Sequence, residues 1–305
     1  MSTLRVFVAG GSGTIGVPLV RALVKAGHSV TALTRSADKQ PSLRALGATP
    51  LVADALDAAA LNHVVLAARP THVIHQLTAL PKDGPRRASD LAATNRLRID
   101  GTRSLLDAAV EAGAKRFIGG SFALMQGFGD DIPSELRESV AAVESMESQI
   151  LEASQTGRID GVVLRYGLFY GPDNPATRKM LTLVRRRMLP MVRGDQGLLP
   201  WIHLDDAVSA TLAALDHGAS GGVYDIVDDR PVSMSEIARA MADSAGAPVP
   251  RTVPAWLPRL LSRYLATVTS MRLPLSNTAA RAALGWHPAF ATVREGLAQT
   301  VARAA

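Results

Sequence analysis

The chain has 305 residues, 47% of them apolar, which allows one large α/β domain with an appended smaller lobe and a sizeable buried core. It contains no cysteine, so disulfides, thiolate catalysis and cysteine-based zinc sites are excluded, nothing points to an oxidising compartment, and a cytoplasmic protein is expected. The net charge of +6 comes from scattered arginines with one dense run, Arg185, Arg186 and Arg187, followed by Arg193; aromatic residues are only 4% and no helix-turn-helix or zinc pattern is visible, so this basicity reads as solvated surface and not as a nucleic-acid site.

Residues 1–9 run straight into a strand, without the basic, apolar and small-residue succession of a secretory signal. Apolar runs of strand length then alternate with helix-period segments: a strand at 4–9, a helix at 15–26, a strand at 29–33 and a helix ending at Gly47. Further strands are expected at 50–53, 72–76, 115–119 and 161–164, with long helices at 90–111 and 134–154. This is the βαβ signature of a parallel, doubly wound sheet. Beyond Tyr166, prolines punctuate shorter elements, and helices are expected at 205–216, 233–245, 256–270 and 278–284, with one more strand at 221–227 that can return to the main sheet. The most apolar late stretch, 254–275, is interrupted by Arg259, Arg263 and Arg272, whereas a membrane span needs about 20 nearly uncharged residues. An amphipathic helix is expected there, and no membrane association.

The first strand runs into Gly10, Gly11, Ser12, Gly13, Thr14, Ile15 and Gly16, and a helix opens at once with Leu19, Val20, Leu23 and Val24 on one face. Gly10 permits a tight turn, Gly13 lets backbone approach a pyrophosphate, and Gly16 allows close helix–strand packing, while the helix N-terminus supplies amide donors. A dinucleotide site is therefore expected. After the second strand stand Leu33, Thr34, Arg35 and Ser36, with no carboxylate to bind ribose hydroxyls or repel a 2′-phosphate. Arg35, with Lys39 assisting, points to NADP(H) over NAD(H) through charge-assisted hydrogen bonds to that phosphate. Asp54, after the third strand, either accepts from the adenine amino group or caps the helix before Asp57; Leu77, after the strand at 72–76, completes the expected cofactor set. The division that follows is a Rossmann domain over 1–165, with 203–227 returning to it, and a small substrate-binding lobe over 166–202 and 228–305.

These residues, together with Asn95, Gly101, Thr102, Leu105 and Leu106, with Tyr170, Gly171 and Pro172, with His203, Leu204, Asp205 and Asp206, and with the late Arg281, Leu284, Gly285, Trp286 and Pro288, resemble the extended short-chain dehydrogenase/reductases in their epimerase/dehydratase branch. The resemblance implies a nicotinamide cofactor meeting a small-molecule substrate between the two lobes, and a homodimer pairing the helices near 90–111 and 134–154. It also implies a Tyr-x-x-x-Lys pair, in which lysine lowers the tyrosine pKa for proton exchange during hydride transfer. No such pair is present: Tyr166, Tyr170, Tyr224 and Tyr264 are followed four residues later by Tyr170, Asn174, Asp228 and Val268. Aligning on Glu147 and Leu151 puts Ser139 and Val143 at the dyad, and aligning on Gly127 puts Phe122 at the usual catalytic hydroxyl. The chain thus resembles the atypical members.

Tyr166 is the best remaining proton donor, with ring packing against cofactor as its other role, and Ser121 is the supporting group. Leu168 and Leu199 stand where sugar-nucleotide members carry Asn and Arg, which argues against a nucleotide-sugar substrate. With Phe122, Met125 and Trp201, and with Trp256 as a further wall, they form an apolar substrate pocket. His203 reads as structural, Asp205 or Asp206 as a helix cap, and the seven histidines show no ligand spacing, so no metal is expected. The leading function is an NADP(H)-dependent reductase or isomerase of a small, largely apolar carbonyl or enone compound; a non-catalytic NADP(H) sensor and a sugar-type epimerase or dehydratase are the alternatives.

Overall fold

The computed structural model describes residues 3–81, 84–126, 128 and 131–304, so Gly127 lies outside the described residues. Strands and helices alternate as β1 (Arg5–Ala9), α1 (Gly16–Lys25), β2 (Ser29–Thr34), α2 (Gln40–Ala45), β3 (Thr49–Val52), α3 (Ala58–Ala68), β4 (His72–His75), α4 (Ala92–Arg96), α5 (Thr102–Glu111), β5 (Arg116–Phe122), α6 (Arg137–Gln155) and β6 (Asp160–Tyr166). Shorter pieces follow: β7 (Leu168–Tyr170), α7 (Pro175–Arg185), β8 (Met191–Val192), β9 (Trp201–His203), α8 (Leu204–His217), β10 (Val223–Ile226), α9 (Met234–Ser244), β11 (Thr252–Val253), α10 (Trp256–Leu261), α11 (Arg263–Thr269), α12 (Thr278–Leu284) and α13 (Val293–Ala304).

Seven strands form one parallel sheet in the order β10-β6-β5-β4-β1-β2-β3. Because successive strand side chains point to opposite faces, each strand feeds two cores. Val6, Val8, Ile74, Ile118, Val162 and Leu164 pack under α1 and α8, whereas Phe7, Ala9, Val73, Phe117 and Val163 pack under α3, α5 and α6. The chain reverses its strand order between β4 and β1, and the crevice beyond the carboxyl ends of those strands is where such sheets bind ligands.

The strand expected at 221–227 does return, as β10 beside β6. Within the 228–305 stretch assigned to the lobe, Ala280, Leu284 and Trp286 join the core under α1 and α8. A third apolar cluster, which includes Val140, Tyr170, Leu199, Trp201, Ile237, Tyr264 and Leu297, packs the segments after β6 against α6. Two expected helices are interrupted. The one over 256–270 breaks at Ser262, which is extended (φ −160°, ψ 113°); its hydroxyl donates to Arg86 O at 2.5 Å and accepts from the Leu265 amide, capping α11. The one over 90–111 is divided into α4 and α5 by a π-helical turn, Leu97–Gly101. The outer faces of α5 and α6 carry Arg103, Asp107, Glu144 and Ser148, all exposed. Among the described residues no helix is long and apolar enough to cross a membrane.

Candidate active site

The loop between β1 and α1 is shaped by what its glycines leave out. Gly10 has φ +88°, and a Cβ there would lie 2.5 Å from Gln76 O; a Cβ on Gly16 would lie 2.1 Å from Gly10 O. Neither position tolerates a side chain. Gly13 differs: a Cβ would meet only Gly10 O, at 3.2 Å, and would otherwise project into open space. Its amide donates to Gly10 O and its carbonyl accepts from Val17, which aims the start of α1 outward. Among the described residues no acceptor takes the amides of Thr14, Ile15 or Gly16, and the first turn of α1 carries no acidic residue. Three free N–H groups at a helix N-terminus, beside a glycine open to close approach, fit the pyrophosphate of a dinucleotide.

Further along the same crevice, Arg35 is exposed at the end of β2 and has no hydrogen bond or ion pair among the described residues. Thr34 beneath it exchanges a 2.8 Å hydrogen bond with Ser12 and accepts from the Ser36 amide, which joins the end of β2 to the glycine loop. Lys39 pairs instead with Asp38 at 3.4 Å, both exposed. Asp54 spends one oxygen on the Leu56 amide at 3.0 Å and is exposed; the cap of α3 is Asp57, which accepts from Ala60. Leu77 adjoins Gly10, and its amide donates to His75 Nδ1. With Nδ1 accepting, His75 carries its proton on Nε2, toward Thr102 Oγ1 at 2.9 Å. Burial, with the charge of Arg98 adding to it, lowers His75 to about 4, so the ring is neutral.

The two residues expected to carry proton chemistry are both enclosed. The Tyr166 hydroxyl lies between Thr211 Oγ1 at 2.7 Å and Gln76 Nε2 at 3.1 Å, is 3% exposed with its ring, and belongs to the core under α1 and α8. Thr211 already donates its own proton to Ala207 O, so Tyr166 donates to Thr211 and accepts from Gln76. Burial pushes the phenol up to about 12. In this arrangement both hydrogen-bonding directions of the phenol, the expected proton donor, are taken up within the core. Ser121 is likewise committed: its hydroxyl donates to Glu147 Oε1 at 2.5 Å. Glu147, on α6, also receives both Nε and Nη2 of Arg165 at 2.6–3.1 Å, and burial is offset there by a two-pronged ion pair. Ser121 is thus part of a strut between β5, β6 and α6.

At the positions aligned with the usual catalytic groups the structure shows Phe122, half-buried at the end of β5; Ser139, buried, its Oγ accepting from Asn95 Nδ2 at 3.3 Å; and Val143, fully buried. The five residues expected to wall the pocket do meet in one apolar cluster, with Met125, Leu199 and Trp201 as its packed interior and Phe122 and Leu168 at its partly exposed margin. Trp256 does not join them: at 58% exposure it stands in solvent at the start of α10. The cap of α8 is neither Asp205 nor Asp206 but His203, whose Nδ1 accepts from the Asp205 amide; Asp206 instead receives the amides of Ala289 and Phe290. Burial lowers the His203 pKa. Among the described residues no group of histidine, aspartate and glutamate is arranged to hold a metal. A cavity of about 570 Å³, lined by residues that include Met191, Arg230, Ser235 and Arg294, lies in the lobe and contains none of the expected site residues.

Sequence reasoning passed over Arg98, which lies near Phe122 and Asn95. The spacing places 94, 98 and 102 on one helix face, and the structure buries Thr94 and Thr102 on it.

Residues 6–227 match the NAD dependent epimerase/dehydratase family, a span that runs from β1 through β10. A Streptomyces protein named 3-diazoavenalumate denitrifying reductase is 39% identical over 312 residues, covering 96% of this chain and 99% of the relative. A 2-alkyl-3-oxoalkanoate reductase from Stenotrophomonas maltophilia is 26% identical over 262 residues, 80% of this chain and 77% of the relative. The crystal structure of the UDP-glucose 4-epimerase of Thermotoga maritima with UDP-glucose has the same fold, with a TM-score of 0.79 at 21% identity over 97% of each chain. Since the family span takes in the complete parallel sheet and its glycine loop, the chain belongs to the NAD dependent epimerase/dehydratase family, as an NAD(P)-dependent oxidoreductase of the extended short-chain dehydrogenase/reductase type.

Proposed function

We propose that the protein is an NADP(H)-dependent reductase acting on an electrophilic, conjugated carbon of a small, largely apolar compound. When bound, the reduced nicotinamide supplies a hydride. The observation that carries the reading is the composition of the dyad region, where Phe122, Ser139 and Val143 replace a proton relay. Phenylalanine and valine exchange no proton, and the Ser139 hydroxyl is buried against Asn95. Reduction of a simple ketone makes an alkoxide that needs a proton nearly in step with hydride arrival. A conjugated acceptor spreads that charge, and a carbon that expels a neutral group generates none.

The name of the 39% identical relative, a denitrifying reductase of a diazo compound, supports this direction. At an arenediazonium carbon the hydride pair forms the new C–H bond, the C–N bond breaks, and its electron pair leaves with dinitrogen; no acid is consumed. The chain's own residues then have to bind, orient and exclude water. Phe122 and Leu168 at the margin of the apolar cluster suit that task. Arg35, exposed and unpaired among the described residues where a ribose-binding carboxylate would otherwise stand, supports NADP(H) over NAD(H).

The test is oxidation of 4-deuterated NADPH against aryl diazo acids, enones and plain ketones, with deuterium located in the product by mass spectrometry. The expected result is deuterium on the conjugated carbon, at the site of lost nitrogen for diazo substrates. Turnover of plain ketones with none of conjugated compounds would overturn the reading.

A further inference from the structure

A guanidinium taken out of water is costly unless something answers it. Arg165 is answered by both oxygens of Glu147, and Arg116 by the carbonyls of Ala214 and Leu215. Arg98 is not answered. It stands in the π-helical turn between α4 and α5, is 8% exposed, and makes no ion pair among the described residues. One long hydrogen bond, from Nη1 to Asn95 Oδ1 at 3.4 Å, engages one of its five N–H donors. The ionisable groups whose charge couples to it are Tyr264 and His75, both uncharged near neutrality. Burial lowers Arg98 to about 10, so it remains a cation at neutral pH.

Its surroundings are the ends of two strands of the sheet. The guanidinium carbon is 6.0 Å from the centre of the Phe122 ring, which ends β5, and His75 ends β4. Through Asn95 it is linked to Ser139, and its charge couples to Tyr264 on α11. Arg98 therefore lies between sheet and lobe, at the carboxyl ends of the strands, where open α/β sheets take their ligands. A π-helical turn is an uncommon local geometry that recurs at functional sites.

We propose that Arg98 is the receptor for a substrate carboxylate, which narrows the substrate class to small conjugated carboxylic acids. The planar fork of the guanidinium matches the two oxygens of a carboxylate, and the neighbouring Phe122 ring gives the conjugated body an apolar surface. The inference rests on the reductase reading, and it deepens that reading by stating which end of the substrate is held.

Binding of non-reacting probes separates the two. Cinnamate and its neutral amide, cinnamamide, are titrated calorimetrically into the NADP⁺-loaded protein, the Arg98→Met variant and the Arg98→Lys variant. The unaltered protein is expected to favour cinnamate by about 10- to 100-fold, the worth of one charge-assisted contact. Arg98→Met should erase the preference, and Arg98→Lys should keep part of it. The melting temperature supplies a second readout: removing an unanswered buried charge should leave Arg98→Met at least as stable as the parent, whereas a purely structural arginine would cost stability. An equal affinity for acid and amide in the unaltered protein, or a preference that survives Arg98→Met, overturns the assignment. Either result leaves the reductase reading to be judged by deuterium transfer, and failure of that transfer leaves the cinnamate preference as a result in its own right.

Discussion

Replacing Tyr166 by phenylalanine distinguishes a packing hydroxyl from a catalytic one. The substitution removes one hydrogen bond donated to Thr211 and one accepted from Gln76, in a site 3% exposed. Thr211 keeps its donation to Ala207 O, so its oxygen loses only the incoming proton. Gln76 Nε2 is left without this acceptor. At about 1 kcal/mol net per hydrogen bond, with a further share for the abandoned donor, the loss is on the order of 2 kcal/mol. At about 2–4 °C per kcal/mol for a chain of a few hundred residues, the melting temperature should fall by about 5 °C. Turnover, measured on whichever substrate the deuteride panel identifies, should stay within about twofold, because the phenol has no direction free for substrate. The opposite outcome is as definite. A fall in kcat of about 100-fold, equivalent to roughly 3 kcal/mol, at an unchanged melting temperature would make Tyr166 the proton donor after all and refute the reasoning from its hydrogen bonds.

Arg35→Ala should reduce the preference for NADPH over NADH by about 10- to 100-fold in fluorescence titration, since it removes a charge-assisted contact at the 2′-phosphate; equal affinity for both cofactors in the unaltered protein would contradict the assignment. Gly13→Val should abolish cofactor binding while leaving circular dichroism unchanged, because its side chain projects from an exposed loop into the space a pyrophosphate needs. Glu147→Gln should lower the unfolding free energy by about 2–3 kcal/mol in urea, somewhat under the cost of breaking a fully buried pair because Arg165 is partly exposed. Asp228→Asn should flatten the pH dependence of stability. Burial raises the Asp228 pKa to about 8, so the folded chain holds a proton that the unfolded chain releases near pH 4, and stability should fall as pH rises from about 4 to 8 in the parent but less in the variant.

The features legible in the sequence are those written in local periodicity. Strand residues alternating in twos, helices repeating at three and four, and glycines at fixed offsets after β1 specify the sheet and the nucleotide loop without knowledge of any distant contact. What is not legible there depends on residues far apart in the chain. Tyr166 is closed off by Gln76, 90 positions earlier, and by Thr211, 45 positions later. The helix over 256–270 breaks at Ser262, whose hydroxyl is tied to Arg86, 176 positions away. The capping of α8 went to His203 because Asp206 was taken by the returning segment at Ala289 and Phe290. In each case a polar group with several possible local uses was claimed by a tertiary partner that no sequence window contains.

The same contacts explain how the dyad positions could lose their chemistry without loss of the fold. Helix α6 carries both Ser139 and Val143, yet its attachment to the sheet runs through Glu147, which gathers Ser121 from β5 and Arg165 from β6. On the same helix Met146, Ile150 and Ala153 bury an apolar stripe against the sheet. Residue 139 and residue 143 lie on the lobe-facing turns, where Val140 and Val143 pack with Leu124, Met125 and Leu136. Anchoring and chemistry are thus assigned to different turns of one helix. The strut that positions the helix involves neither residue 139 nor residue 143, so their side chains can change without loosening it. The result is an apolar margin at the end of β5 with the Arg98 guanidinium beside it, a setting suited to an anionic conjugated substrate whose reduction requires orientation more than acid catalysis.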